Sequence, residues 1–182
     1  MKRLVLYTLL ALSTFPRIYA QSGKVDTAAN LAFTTYVNNF YRFSVAVPDN
    51  WKLYGQVLND TVKHRAIADW GLPPVFSEME NAEIENSISI TAYRSGKISS
   101  VDELIQAEYL RVDPTKYVMQ PDSMAKNARL IYGTIDGRHY KGKTYFVFKN
   151  GIGYVVNFMA TPGTFDKNLP VFEKFAKTIN FL

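Results

Sequence analysis

The sequence predicts an α+β domain built on an antiparallel β-sheet, and three observations predict it. Stretches such as Tyr41–Val47 and Ser87–Tyr93 alternate apolar and polar residues with period two, the mark of half-buried strands. Asp136-Gly137 and Asn150-Gly151 each sit between two strand-like runs, and both central residues of a tight hairpin turn need positive φ, which these types tolerate. Two segments carry helical periodicity instead, one after Ser100 and one closing the chain.

The N-terminus reads as a targeting segment. "MKRLVLYTLLALSTFPRIYAQSG" places Lys2 and Arg3 before an apolar stretch from Leu4 to Leu12, with Ala20 as the cleavage residue. A membrane span needs roughly 20 apolar residues, and Pro16 and Arg17 interrupt this run well before that. Residues 1–20 are therefore expected to be a signal peptide, 21–32 a flexible leader and 33–182 a single domain, exported to the periplasm or the exterior.

The domain opens with a strand over Thr34–Val37, a turn at Asn38-Asn39 and a second strand over Tyr41–Val47. Tyr41, Phe43, Val45 and Val47 face inward, and Pro48 ends the strand because it lacks a ladder N–H. Trp51 follows as a core anchor. Gly55–Ser77 reads as irregular, with Gly71 and Pro73-Pro74 forbidding regular structure at its end. Asn59-Asp60-Thr61 inside it fits a glycosylation acceptor, which matters only in a eukaryotic secretory pathway.

Ser87–Tyr93 is the next strand, with Ile88, Ile90 and Ala92 on one face. A helix is expected from Val101 to Arg111. Ser100 and Glu103 form a capping box, and Asp113-Pro114 stops the helix because a residue before proline disfavours it. A meander follows over Ala128–Ile135, Arg138–Phe148 and Ile152–Ala160. The closing helix is expected over Leu169–Thr178 with Asn168 as its cap. A start at Thr164 would leave Pro170 inside, at a cost of about 3 kcal/mol.

Composition removes several chemistries. There is no cysteine, so disulfides, thiolate metal sites, a cysteine nucleophile and a lipoprotein anchor are all excluded. The formal charge of +5 is largely the signal peptide's: losing Lys2, Arg3 and Arg17 takes the 21 basic residues to 18 against 16 acidic, a net +2. The mature protein has no basic run, so nucleic acid is not the expected partner. After cleavage no stable membrane span is expected.

Motifs for catalysis are sparse. Gly151-Ile152-Gly153 lacks the third glycine of a dinucleotide fingerprint, since position 156 is Val156, and a strand follows where a helix is required. It reads as turn chemistry, with Gly153 letting an aromatic neighbour approach bare backbone. His139 follows the Asp136-Gly137 turn and reads as an exposed strand residue. His64, with Asp69 near it in sequence, is a candidate base with its orienter, but no Gly-x-Ser-x-Gly or His-Glu-x-x-His accompanies it. Glu78, Glu80, Glu83 and Glu85 could chelate a hard cation or supply a carboxylate pair, yet no EF-hand spacing is present. A solvated rim that discourages edge pairing is the favoured reading of that cluster. No cofactor and no metal are expected.

The order of elements resembles the PsbP-like family, which includes the extrinsic protein of photosystem II and many exported bacterial proteins of unknown role. It shares its architecture with a Ran-binding import factor. The matching pieces are "FYRFSVAVPDNW", then "SISITAY", the "SVDELIQAEYL" helix, the meander, and "GYVVNFMATPGTFDKNLPVFEKFAKTINF". They cover about Thr34 to Leu182. The resemblance implies an antiparallel sheet flanked by helices on both faces, an α/β/α sandwich, and a mostly non-enzymatic role. It carries over no site residue.

Two function classes follow. The favoured one is a non-catalytic exported accessory or binding domain that recognises a protein or envelope component. Trp70 and Leu72, beside Pro73-Pro74, are its candidate partner contacts, unless Trp70 lies buried beneath the long loop. The rival is a hydrolase or metal-dependent enzyme using His64 and Asp69 or the Glu78–Glu85 cluster.

Overall fold

The computed structural model describes residues 32–182. The expected signal peptide and all but the last residue of the expected leader lie outside the described residues. The elements run β1 (Phe33–Asn38), β2 (Phe43–Pro48), β3 (Lys52–Asp60), β4 (Arg65–Gly71), β5 (Val75–Ser77), β6 (Ala82–Ile84) and β7 (Ser87–Tyr93). They continue with α1 (Val101–Arg111), β8 (Tyr117–Pro121), β9 (Ala128–Ile135), β10 (Arg138–Lys149), β11 (Ile152–Ala160), α2 (Pro162–Lys177) and β12 (Asn180–Phe181).

Seven strands form one antiparallel sheet in the order β3-β4-β7-β11-β10-β9-β8. A smaller sheet, β1-β2-β12, packs its β2 side chains against one face of it, and β5-β6 makes a separate hairpin. The hairpin logic of the meander holds: Asp136 and Gly137 adopt φ 49° and 77°, and Asn150 and Gly151 adopt 53° and 74°.

The expected α/β/α sandwich is not what forms. Of the described residues 51% are strand and 18% helix, with only two helices among them. The face that α2 touches is covered in large part by a second sheet: Tyr41, Phe43, Val45 and Val47 join Phe165, Phe172 and Phe175 over β4, β7 and β11. On the opposite face α1 covers only the patch around Phe146 and Val155, through Leu104 and Ile105. Neither helix is long enough to make a layer, so the architecture is mostly antiparallel β.

Two other expectations change. Gly55–Ser77 is ordered as strands β3 and β4, with β5 at its end. Ala66, Ala68 and Trp70 point into the core while Arg65, Ile67 and Asp69 do not, an alternation that small alanines hid in the sequence. The last helix begins at Pro162, eight residues or so before Pro170, which sits inside it. Burial of Thr164 and Phe165, the latter stacked on Phe158 at 5.4 Å, offsets the backbone hydrogen bond that Pro170 removes. By contrast α1 has the expected limits, and the Ser100 hydroxyl accepts from the Glu103 N–H at 3.2 Å. Gly153 does give close approach to bare backbone, but the neighbour is Leu104 of α1, not an aromatic ring.

Candidate functional site

The residues singled out for catalysis do not meet. His64 closes the β3–β4 turn at φ 50° and is exposed, while Asp69 lies five residues along β4, roughly 16 Å away at strand rise. Asp69 faces the α1 side of the sheet, where the register aligns it with Ser89, Asn157 and Thr144 across four strands. Burial pushes its carboxyl up to about 6 against one backbone hydrogen bond from Trp70, and its Oδ1 is buried without a partner. His139 shares a 3.0 Å hydrogen bond with Thr134 on the neighbouring strand. The two line a shallow groove of about 490 Å³ with Tyr117, Tyr132, Lys141 and Pro162.

Trp70 and Leu72 are not surface residues. They are 3% and 1% exposed. Trp70 packs between Tyr36, at 5.3 Å, and Phe175, at 5.7 Å, because β4 turns its even-numbered positions toward the core. As the protein is folded they cannot meet a partner.

The acidic cluster also has a structural use. Glu78 and Glu80 lie in the β5–β6 turn and not on one strand face. Glu80 accepts hydrogen bonds from the Ser77 hydroxyl, the Thr161 side chain and the Gly163 N–H. Those last two donors lie at the start of α2, where Thr161 makes no side-chain cap of its own. Glu80 therefore caps the helix from another segment, next to the positive end of its dipole. No group of three or more potential metal ligands is found among the described residues.

Other charged clusters brace the fold. Lys143, 7% exposed, places Nζ 2.7 Å from Glu173 and 3.0 Å from Asp122, and Tyr145 donates to the same Glu173 oxygen at 3.1 Å. Burial pulls the Lys143 ammonium down, but bonds to Glu173, Asp122 and Tyr145 outweigh it and hold it charged. Across the sheet, burial raises Glu108 although Arg111 bonds to it, and the Arg111 guanidinium lies 4.3 Å from the Tyr93 ring centroid.

Exposed apolar side chains occur singly elsewhere, as at Leu110 and Met124, but at one end of the molecule they come from two adjoining hairpins. Val37, Phe40, Leu58 and Val62 are 46%, 49%, 55% and 85% exposed, on the β1–β2 and β3–β4 turns and their flanks. The segments are tied together. Asn38 donates to the Leu58 carbonyl at 3.0 Å, Arg94 donates to the Phe40 carbonyl at 3.1 Å, and the Arg94 N–H reaches the His64 carbonyl at 3.0 Å. β12 closes the same end, with the Leu182 N–H bonded to the Arg42 carbonyl at 2.7 Å. Sequence reasoning missed this surface because its residues are scattered over two hairpins, and Leu58 and Val62 lie in the stretch that reads as irregular.

The class so defined is, over the described residues, a mostly antiparallel β domain with two helices, whose buried charges brace the fold and which carries one group of exposed apolar side chains on two adjoining hairpins. No helix among the described residues is long and apolar enough to cross a membrane. No protein-family model and no curated protein sequence matches the chain. Among solved structures it is similar to a protein of unknown function from Pseudomonas aeruginosa, with TM-score 0.49, 14% identity, and 80% and 94% of the two chains covered. It is similar to a Bacteroides thetaiotaomicron protein with TM-score 0.46 and 11% identity, over 81% of this chain and 48% of that one. It is also similar to the cyanobacterial PsbP of Synechocystis, with TM-score 0.45 and 10% identity, over 90% and 98%. Scores and identities at this level carry no argument about family, site or partner.

Proposed function

We propose that the protein is an exported, PsbP-like accessory domain that binds a component of the cell envelope without catalysing a reaction. The single observation behind this reading is the end carrying Phe40, Leu58 and Val62. Four exposed apolar side chains from two hairpins are held there by side-chain to backbone hydrogen bonds. Apolar side chains presented by turns on a rigid sheet suit recognition, since burying them on a partner is favourable and little ordering is needed first. The separation of His64 from Asp69 and the use of Glu80 as a helix cap weigh against the hydrolase or metal-enzyme alternative. Export rests on residues 1–20 and the PsbP-like reading on the order of elements.

A photo-crosslinking residue at position 62, in the full chain expressed in cells, tests the reading. Irradiation should give an adduct with an envelope component from position 62. The same residue at exposed Met79 should not, as Met79 lies beside Gly163 at the opposite end of β11. Equal adducts from both positions, or none from position 62, would overturn it.

A further inference from the structure

The same end is basic as well as apolar. Arg42, Lys63, Arg94, Lys97 and Lys149 are all exposed there, contributed by four separate stretches of chain. They converge because four features end at the same edge: the β1–β2 turn, the β3–β4 turn, the segment after β7, and the β10–β11 turn. The register pairs Arg65 with Tyr93 and Tyr93 with Gly153, and Lys149 reaches the Phe181 carbonyl beside Arg42. The acidic groups near it are Asp60, Asp102, Glu103 and the Leu182 carboxylate, which accepts from Asn150 at 3.3 Å; Glu108 is already paired with Arg111. Asp60 accepts from the Val62 and Lys63 N–H groups and lies 3.9 Å from Arg65. Glu103 is a capping carboxylate bonded to Ser99, and both it and Asp102 belong to the first turn of α1. With Asp60 set against Arg65, five exposed cations face the carboxylates of Asp102, Glu103 and Leu182, so positive charge is in excess beside the apolar tips. Arg94 lies 5.1 Å from the Phe40 ring centroid, so one basic and one apolar group share a single spot.

We propose that this end docks on an anionic lipid surface, with Phe40, Leu58 and Val62 entering the headgroup boundary and Arg42, Lys63, Arg94, Lys97 and Lys149 meeting lipid phosphates. The inference deepens the envelope-binding reading and rests on it. A protein partner would also accept apolar tips. The exposed basic side chains beside them, none in a salt bridge among the described residues, are what favour a phosphate-rich surface, where each basic side chain adds attraction and each buried apolar group adds transfer free energy. Phe40 and Val62 project from turns and Leu58 from the adjoining end of β3, so they reach the interface without any spanning element.

The test is vesicle co-sedimentation of the full chain, with phosphatidylcholine vesicles containing or lacking phosphatidylglycerol. Binding should need the anionic lipid and weaken as salt is raised. Lys63→Glu with Lys97→Glu should lower the partition coefficient by about tenfold or more. Val62→Asp, at a position 85% exposed, should also weaken it and leave the melting temperature unchanged, so it serves even where the double variant fails to fold. Whatever residues 1–31 contribute is common to parent and variants. Variants that bind like the parent, binding indifferent to phosphatidylglycerol, or no binding by the parent would each overturn the proposal. A position-62 crosslink to a protein together with no vesicle binding would sink the lipid inference and keep the envelope-binding reading.

Discussion

Replacing Asp69 with Asn should stabilise the protein at neutral pH and do nothing for it in acid. Asp69 is half-buried on the sheet, its Oδ1 has no partner, and burial lifts its carboxyl from 3.8 to about 6. A raised folded value means that the folded state holds the proton more tightly than the unfolded chain. Stability therefore falls as pH rises between those two values and stays lower above about 6. A shift of about two pH units corresponds to about 3 kcal/mol at 1.36 kcal/mol per unit. Because the carboxyl keeps some contact with water, screening reduces this to about 1–2 kcal/mol. Asn preserves shape and removes the charge, so the variant escapes the penalty. Urea unfolding of parent and Asp69→Asn at pH 4, 5, 6, 7 and 8 reads the difference directly. The gap should be near zero at pH 4, open through pH 5–6 and level off above. A gap that is constant with pH, or that widens toward acid, would refute the reasoning.

Glu80→Ala removes the tertiary cap of α2 and should cost about 1 kcal/mol in urea titrations. Hydrogen bonds from Ser77, Thr161 and Gly163 outweigh desolvation and hold the Glu80 carboxyl below its ordinary value, so the cap should be lost as pH falls through the carboxylate range. Lys143→Met leaves Asp122, whose side chain is only 7% exposed, without its cation and should cost about 3 kcal/mol. Adding Asp122→Asn should return part of that loss, and a double-mutant cycle that is strictly additive would dismiss the coupling. Gly153→Val puts a branched side chain where a Cβ would already sit 2.9 Å from Leu104 Cδ1. It should lower stability by about 2 kcal/mol by lifting α1, seen as faster amide exchange in that helix.

Legibility followed the range of the determining forces. The α1 limits, the two hairpin turns of the meander and the inward face of β2 were all readable, because caps, positive-φ turn residues and period-two alternation act within a few residues. The β3–β4 pair was not. Its inward positions are Ala66, Ala68 and Trp70, and two alanines give no strong alternation. The start of α2 was misplaced because Pro170 weighs against a longer helix locally. The compensation comes from distant groups, Glu80 at the N-terminus and Phe158 beneath Phe165.

The candidate surface shows the same division. No stretch of the chain is a basic run, and Phe40, Leu58 and Val62 are unremarkable where they stand. Register in the large sheet aligns Lys63, Arg94 and Lys149 at one end, and packing of the small sheet brings Arg42 and Phe40 to them. By itself the sequence determined the strand-rich character, the hairpin turns and the first helix, since these depend on φ preferences and local hydrogen bonds. It also excluded every thiol chemistry, which follows from composition. Only the tertiary structure decided three further matters: that Trp70 is core, that His64 and Asp69 stand apart, and that a second sheet covers the face expected to carry helices. Each depends on which distant strands pair and in what register, and pairing free energy is a property of the whole packed sheet.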